Sequence, residues 1–226
     1  MTSSSVPAPR APIGVRVRAR LNVDPRSWGV AAIAEMGVAV ALAAVLGLVR
    51  VWTMPQGGSV SLEMIPILFV AIRRGLGPGV ATGAVYGLVQ LVLPGAFVYH
   101  PLQALLDYPL AFAAVGLAGL VPVRTDVASD AAGDRGGWLA EAARAVVALV
   151  PAVVLGTGAR FFFHFLSGLI YFASYAPSWE APWLYAVTYN LLYLVPEAIV
   201  TAIVLWPLLK AYDAAFGAPR IAGGPR

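Results

Sequence analysis

Cysteine is absent from the 226-residue chain, which excludes disulfide staples, thiolate metal sites and Cys nucleophiles. Charge is scarce: 12% of the residues are charged against 60% hydrophobic, where a soluble domain averages about 25% and 45–50%. Mean hydropathy is +0.80. A chain so short of polar surface cannot coat itself in water, so a soluble enzyme is excluded, and its apolar content excludes a disordered chain. Its two histidines are not spaced as metal ligands, and the H-E-x-x-H, G-x-S-x-G and G-x4-G-K-[ST] patterns are all missing. No metal or cofactor is therefore expected, and the chain cannot itself hydrolyse ATP to drive transport. The run Gly75-x-Gly77-x-Gly79-x3-Gly83 follows no strand, so these are expected to be turn and helix-packing glycines rather than a nucleotide loop. The net charge of +4 does not point to nucleic acid, because the arginines gather at the ends of hydrophobic runs, as they do in membrane proteins.

What the chain has is long apolar runs. A spanning helix needs about 20 such residues, and six segments meet or approach that length: 28–49, 60–72, 77–93, 101–121, 138–171 and 183–209. The second is short, carries Glu63 and Pro66, and can span only with help from its neighbours. The fifth exceeds what a bilayer needs, so a tilt or a break before Phe172 is expected. The expected fold is an all-α membrane protein, a six-transmembrane-helix bundle over residues 28–211. A basic, disordered or surface-lying tail (1–27) precedes it, a polar linker (123–137) follows the fourth span, and a short tail (212–226) ends the chain. The distribution of Arg and Lys puts both termini in the cytoplasm of a multi-pass bacterial cell-membrane protein, with only Arg50 outside.

Charges within a span are costly, from about 2.5 kcal/mol upward, so each needs a partner or a purpose. By this topology Glu63, Asp107, Arg160, His164, Tyr185 and Asn190 lie at one depth near the external face, joined by Tyr86, Phe97, Tyr99, Tyr108, Tyr171, Phe172, Tyr175, Trp179, Trp183 and Tyr189. A carboxylate among aromatic faces suits a flat organic cation, each ring adding about 0.5–2 kcal/mol. An Asn amide offers the donor and acceptor that an aminopyrimidine edge requires. Competing readings are structural: the aromatics as interfacial belt residues, His164 as an interhelical hydrogen-bond partner, and Arg160 and His164, one turn apart, pairing with Glu63 or Glu197 to hold the bundle. Asp107 has no basic partner nearby in sequence. Glu35 lies at the other end and does not fit the layer.

The ordered set Glu63-Met-Ile-Pro-Ile-Leu, Arg73-Arg74-Gly75, Gln103-Ala-Leu-Leu-Asp107-Tyr108, Phe162-Phe163-His164-Phe165-Leu-Ser-Gly168 and Tyr185-x4-Asn190 resembles the thiamine-specific substrate-binding (S) component of energy-coupling factor (ECF) transporters, over about residues 30–210. The resemblance implies a six-helix bundle that captures the vitamin outside and docks onto a transmembrane coupling protein driven by two ATPases. It implies Asp107 as the acidic residue facing the thiazolium, followed by Tyr108, with Glu63 as a second acidic position. His164, Gly168, Tyr185 and Asn190 would line the pyrimidine end. Phe172 falls where the family pattern has a stacking Trp, Tyr86 replaces a Trp in the third span, and Phe97 or Tyr99 stands for a loop tyrosine. Asp for Glu shortens the reach by one methylene, and Ser59 replaces a further Trp, so the ligand could be thiamine or a precursor or pyrimidine relative.

The first span carries small residues at i, i+4 spacing, Gly37/Ala41 and Ala39/Ala43, which let another helix approach closely. The resemblance implies that this face meets the coupling protein; internal packing is the competing reading. Overall the expected function is non-enzymatic capture of thiamine or a close relative. The alternatives are an intramembrane enzyme using Glu63, Asp107 and His164 as acid/base groups, and a solitary secondary carrier, although the internal repeats common in carriers are not evident.

Overall fold

The computed structural model describes residues 21–123 and 137–216. The expected 123–137 linker and the outer ends of both tails lie almost wholly outside them. The chain is mostly helical. Helix α1 (Val30–Leu48) leads through a two-stranded ribbon, β1 (Trp52–Thr53) and β2 (Ser59–Val60), into α2 (Met64–Arg74) and α3 (Leu76–Gln90). Three further helical segments follow: α4 (Pro101–Leu120), α5 (Gly137–Tyr171) and α6 (Pro182–Phe216). Four of these, α1, α4, α5 and α6, are long and apolar enough to cross a membrane. Their outward faces are apolar, as at Val30, Val38, Leu42, Val147, Val154 and Ile203, which is stable only against lipid.

Helix α2 is the centre. Every residue from Met64 to Ile72 is buried, so its unbroken apolar run reflects neighbours on all sides. Eleven residues rise only about 16 Å, roughly half the hydrocarbon thickness of a bilayer. The ribbon precedes it in the chain, its antiparallel register pairing Trp52 with Val60 and Thr53 with Ser59. This strand pair is a departure from the expected all-α chain; each strand has two residues, too few for any period to register. Helix α2 ends where Gly75 adopts φ +92°, a left-handed conformation open to glycine, and α3 turns straight back.

Glycine holds α3 against α4. A Cβ on Gly83 would lie 1.9 Å from the Phe112 carbonyl oxygen, one on Gly87 2.5 Å from that of Tyr108, and one on Gly79 3.2 Å from the Gly116 Cα. The helices touch backbone to backbone, the close approach that lipid-embedded helices use. Gly83→Ala must therefore separate α3 from α4, and we expect it to lower the thermal midpoint of the detergent-solubilised protein, while Gly37→Ala, where an added Cβ meets nothing within 4 Å, leaves it unchanged.

Helix α5 ends at Tyr171, followed by a short 3-10 turn over Ala173–Tyr175, which is the break expected before Phe172. Helix α6 runs seven residues past the expected end at Leu209, to Phe216. Its last turns carry contacts that hold them in the bundle: Tyr212 donates to Glu35 (2.7 Å) and Asp213 pairs with Arg73. Glu35 also accepts from Arg74 at 2.7 and 2.5 Å, so this carboxylate serves a latch at the end of the bundle opposite the polar layer. The end of the expected disordered tail is anchored there too: Asn22 donates to the Arg74 carbonyl (3.1 Å) and accepts from Trp28 (2.8 Å) through its own.

The small-residue stripe of α1 divides. Ala39 and Ala43 are buried in the core, 4% and 0% exposed, whereas Gly37 and Ala41 face outward. Positions two apart on a helix point about 200° apart, so the two pairs cannot share a face. Ala39 and Ala43 are internal packing, a correction to their expected docking role.

Candidate binding site

One cavity of about 680 Å³, including the open space at its mouth, lies where the ribbon, the N-terminal cap of α2, the end of α3, α4, α5 and α6 meet. Of the expected site residues, Glu63, Asp107, Tyr108, His164, Gly168, Phe172, Tyr185 and Asn190 line it. Two do not. Tyr86 is fully buried behind the wall and donates to Glu63 Oε2 at 2.7 Å. Tyr99 is 67% exposed on the α3–α4 loop, its ring 6.3 Å from that of Phe172. Phe97, its alternative, is not in the wall either but packs 5.9 Å from Phe172.

Asp107 sits on a π-turn, Leu106–Leu110, within α4. Pro109 has no N–H to continue the ladder, and the Ala111 N–H reaches back to the Leu106 carbonyl. Such a bulge rotates the residues it carries relative to the rest of the helix and is frequent at functional sites. Three groups then hold the carboxylate: Gln103 Nε2 and Ser167 Oγ donate to Oδ2, each at 2.7 Å, and His164 Nδ1 lies 3.0 Å from Oδ1. Among the described residues no Arg or Lys pairs with it. Ser167 donates to Asp107 and not to His164, so this Asp, His and Ser are not wired as a nucleophile and its base.

The other carboxylates are paired. Arg160 is inserted between Glu63 and Glu197, donating to Glu63 Oε1 at 3.1 Å and to both Glu197 oxygens at 3.2 and 3.3 Å. Its guanidinium lies 4.3 Å from the Phe112 ring centroid, a cation–π contact. Ser61 donates to Glu197 (3.3 Å) and Gln90 to Glu63 (3.2 Å). This realises the structural reading of Arg160 and restricts Glu63 as a free counter-charge. Gly47 leaves room for the cluster: a Cβ there would lie 2.6 Å from Tyr86 Oη and 2.8 Å from Glu63 Oε2.

The Asn190 amide is less available than expected, since it donates to the Ala186 carbonyl (2.8 Å) and accepts from Tyr193 (2.7 Å) on its own helix. One N–H and one lone pair remain for the cavity. Sequence reasoning missed Gln56, Gly57, Gly58, Gln90, Phe112, Ser167 and Tyr193 as wall residues, and Gln103 as a holder of Asp107. The i, i+4 spacing of Gln103 and Asp107 was a usable signal. For the ribbon residues there was none. The ribbon is pinned across the mouth by Tyr189, whose hydroxyl accepts from the Gly58 N–H at 3.1 Å, and by Tyr185, which donates to Gln56 at 3.4 Å.

A lipid-embedded helical bundle with an aromatic-walled, carboxylate-bearing cavity and no wired nucleophile defines a membrane protein that binds a small organic molecule. The thiamine transporter protein family (Thia_YuaJ) matches residues 33–216, and the chain belongs to that family. It is 40% identical over 175 residues to thiamine transporter ThiT of Bacillus subtilis, covering 76% of this chain and 86% of that protein. To thiamine transporter ThiT of Lacticaseibacillus paracasei it is 35% identical over 149 residues, covering 65% and 70%. The solved structure of ThiT from Listeria monocytogenes superposes with a TM-score of 0.68 at 26% identity, covering 82% of this chain and 96% of that one.

Proposed function

We propose that this protein is the substrate-capture subunit of an ECF-type importer. It binds thiamine, or a precursor or pyrimidine relative, from the outside and passes it on by docking to a transmembrane coupling protein driven by two ATPases. The observation that carries this reading is Asp107: a carboxylate in an aromatic cavity, oriented by three side chains and, among the described residues, paired with no Arg or Lys. An uncompensated charge in a membrane protein is retained only for a purpose, and a permanent thiazolium cation is its chemical complement. Phe172, Tyr108 and the tyrosines of α6 supply stacking faces. The pyrimidine would meet the remaining valences of Asn190 and the Gln90 side-chain oxygen Oε1, which has no partner among the described residues.

In this reading all six helices cross the membrane, α2 and α3 completed in depth by their loops, with both termini and the Glu35–Arg74 latch on the cytoplasmic side. Among the described residues no tryptophan lines the cavity, so binding is best read by calorimetry. Saturable thiamine binding without ATP is expected from the detergent-purified protein; silence toward thiamine and its precursors would overturn the proposal.

The outward Gly37/Ala41 stripe is the surface left for the coupling protein. Gly37→Leu with Ala41→Leu is expected to leave thiamine affinity unchanged and to abolish uptake in cells that carry the partner subunits. Uptake at the parental rate would assign that face to lipid.

A further inference from the structure

Arg160 has a fourth hydrogen bond that ion pairing does not require: its Nε donates to His164 Nε2 at 3.1 Å. A guanidinium can only donate, so His164 Nε2 must be the unprotonated nitrogen. The proton of the neutral ring then sits on Nδ1, which faces the Asp107 carboxylate at 3.0 Å. An imidazolium would set an N–H against the guanidinium N–H, and the Nε2–H tautomer would add a lone pair facing the carboxylate. The remaining groups around the ring reinforce this arrangement: Glu63 from α2 and Glu197 from α6 are occupied by Arg160. Tyr193 of α6 meets the imidazole edge to face at 6.2 Å, and its hydroxyl is committed to Asn190.

We propose that Arg160 is a specificity-determining positioning residue, which locks His164 as the neutral Nδ1–H tautomer so that Asp107 is hydrogen-bonded but not neutralised. Were His164 cationic, it and Asp107 would form an internal ion pair, and a cationic ligand would gain little from the carboxylate. With Nε2 capped by Arg160, the three donors to Asp107 are all neutral and its charge is reserved for the ligand. This inference rests on the thiamine reading of the cavity, and it accounts for selection of the charged vitamin over uncharged molecules of the same shape.

The chain has two histidines, so 15N-histidine labelling with His100→Gln as the assignment variant isolates the His164 ring. At neutral pH the parent is expected to give the nitrogen shifts of a neutral Nδ1–H imidazole; an imidazolium or Nε2–H signature overturns the proposal, and this measurement needs no change at the site. Arg160→Lys keeps the positive charge between Glu63 and Glu197 but removes the donor at the Nε position. In that variant the Nδ1–H signature is expected to be lost. Thiamine affinity is expected to fall roughly tenfold or more, while affinity for the neutral isostere with thiophene in place of thiazolium is retained. Parental tautomer and affinities in Arg160→Lys, or equal losses for both ligands, would remove the role assigned to Arg160. A parent with the expected tautomer that binds neither ligand would instead overturn the thiamine reading and leave the lock standing as structure.

Discussion

Asp107→Asn is expected to weaken thiamine binding by about two orders of magnitude with little change in the folded structure. A cation some 4–5 Å from a carboxylate in a site of effective dielectric near 20 gains about 3–4 kcal/mol, and the amide forfeits that term. The amide also turns one of its own donors toward groups that donate: Gln103 Nε2 and Ser167 Oγ on one side, His164 Nδ1 on the other. Asp107→Glu retains the charge and is expected to bind thiamine with at most a modest change. Calorimetric titration of the three proteins, with thiamine and with the neutral thiophene isostere, separates charge from shape. Parental thiamine affinity in Asp107→Asn would show that the ligand's charge is met elsewhere.

Arg160→Met is expected to have the largest effect on stability. Arg160 is 4% exposed, Glu63 2% and Glu197 0%, so the three form a buried triad. Removing the cation leaves two carboxylates buried without a counter-charge, which costs about 3–5 kcal/mol. For a domain of this size that is on the order of 10 °C in Tm, measurable by thermal unfolding in detergent. Replacing the whole triad (Arg160→Met, Glu63→Gln, Glu197→Gln) is expected to recover most of the loss, because amides need hydrogen bonds but no counter-charge. If Arg160→Met is as stable as the parent, the triad is not held as ions. Of the three carboxylates in the layer, two are held by one arginine, and Asp107 is left over.

The membrane class was legible in the sequence, because the scarcity of charge and the length of the apolar runs follow from the solvent. The long helices were legible too: α5 falls within a residue of its expected bounds, since nothing in its sequence offers another way to satisfy the backbone in lipid. The end of α6 was not, because its last turns carry Tyr212 and Asp213, polar by composition and held only by Glu35 and Arg73 from distant parts of the chain. Tyr86 and Tyr99 were expected in the wall from their depth and from the family resemblance. Depth does not distinguish a ring pointing inward behind Glu63 from one on an exposed loop.

By itself the sequence determined the solvent, the spans and the residue types that would gather at one depth, because each is set by local composition against a bilayer. Only the tertiary structure decided which charge answers which. That choice depends on four helices, α2, α4, α5 and α6, meeting within hydrogen-bond reach, and distances of about 3 Å between residues dozens of positions apart leave no periodic trace along the chain.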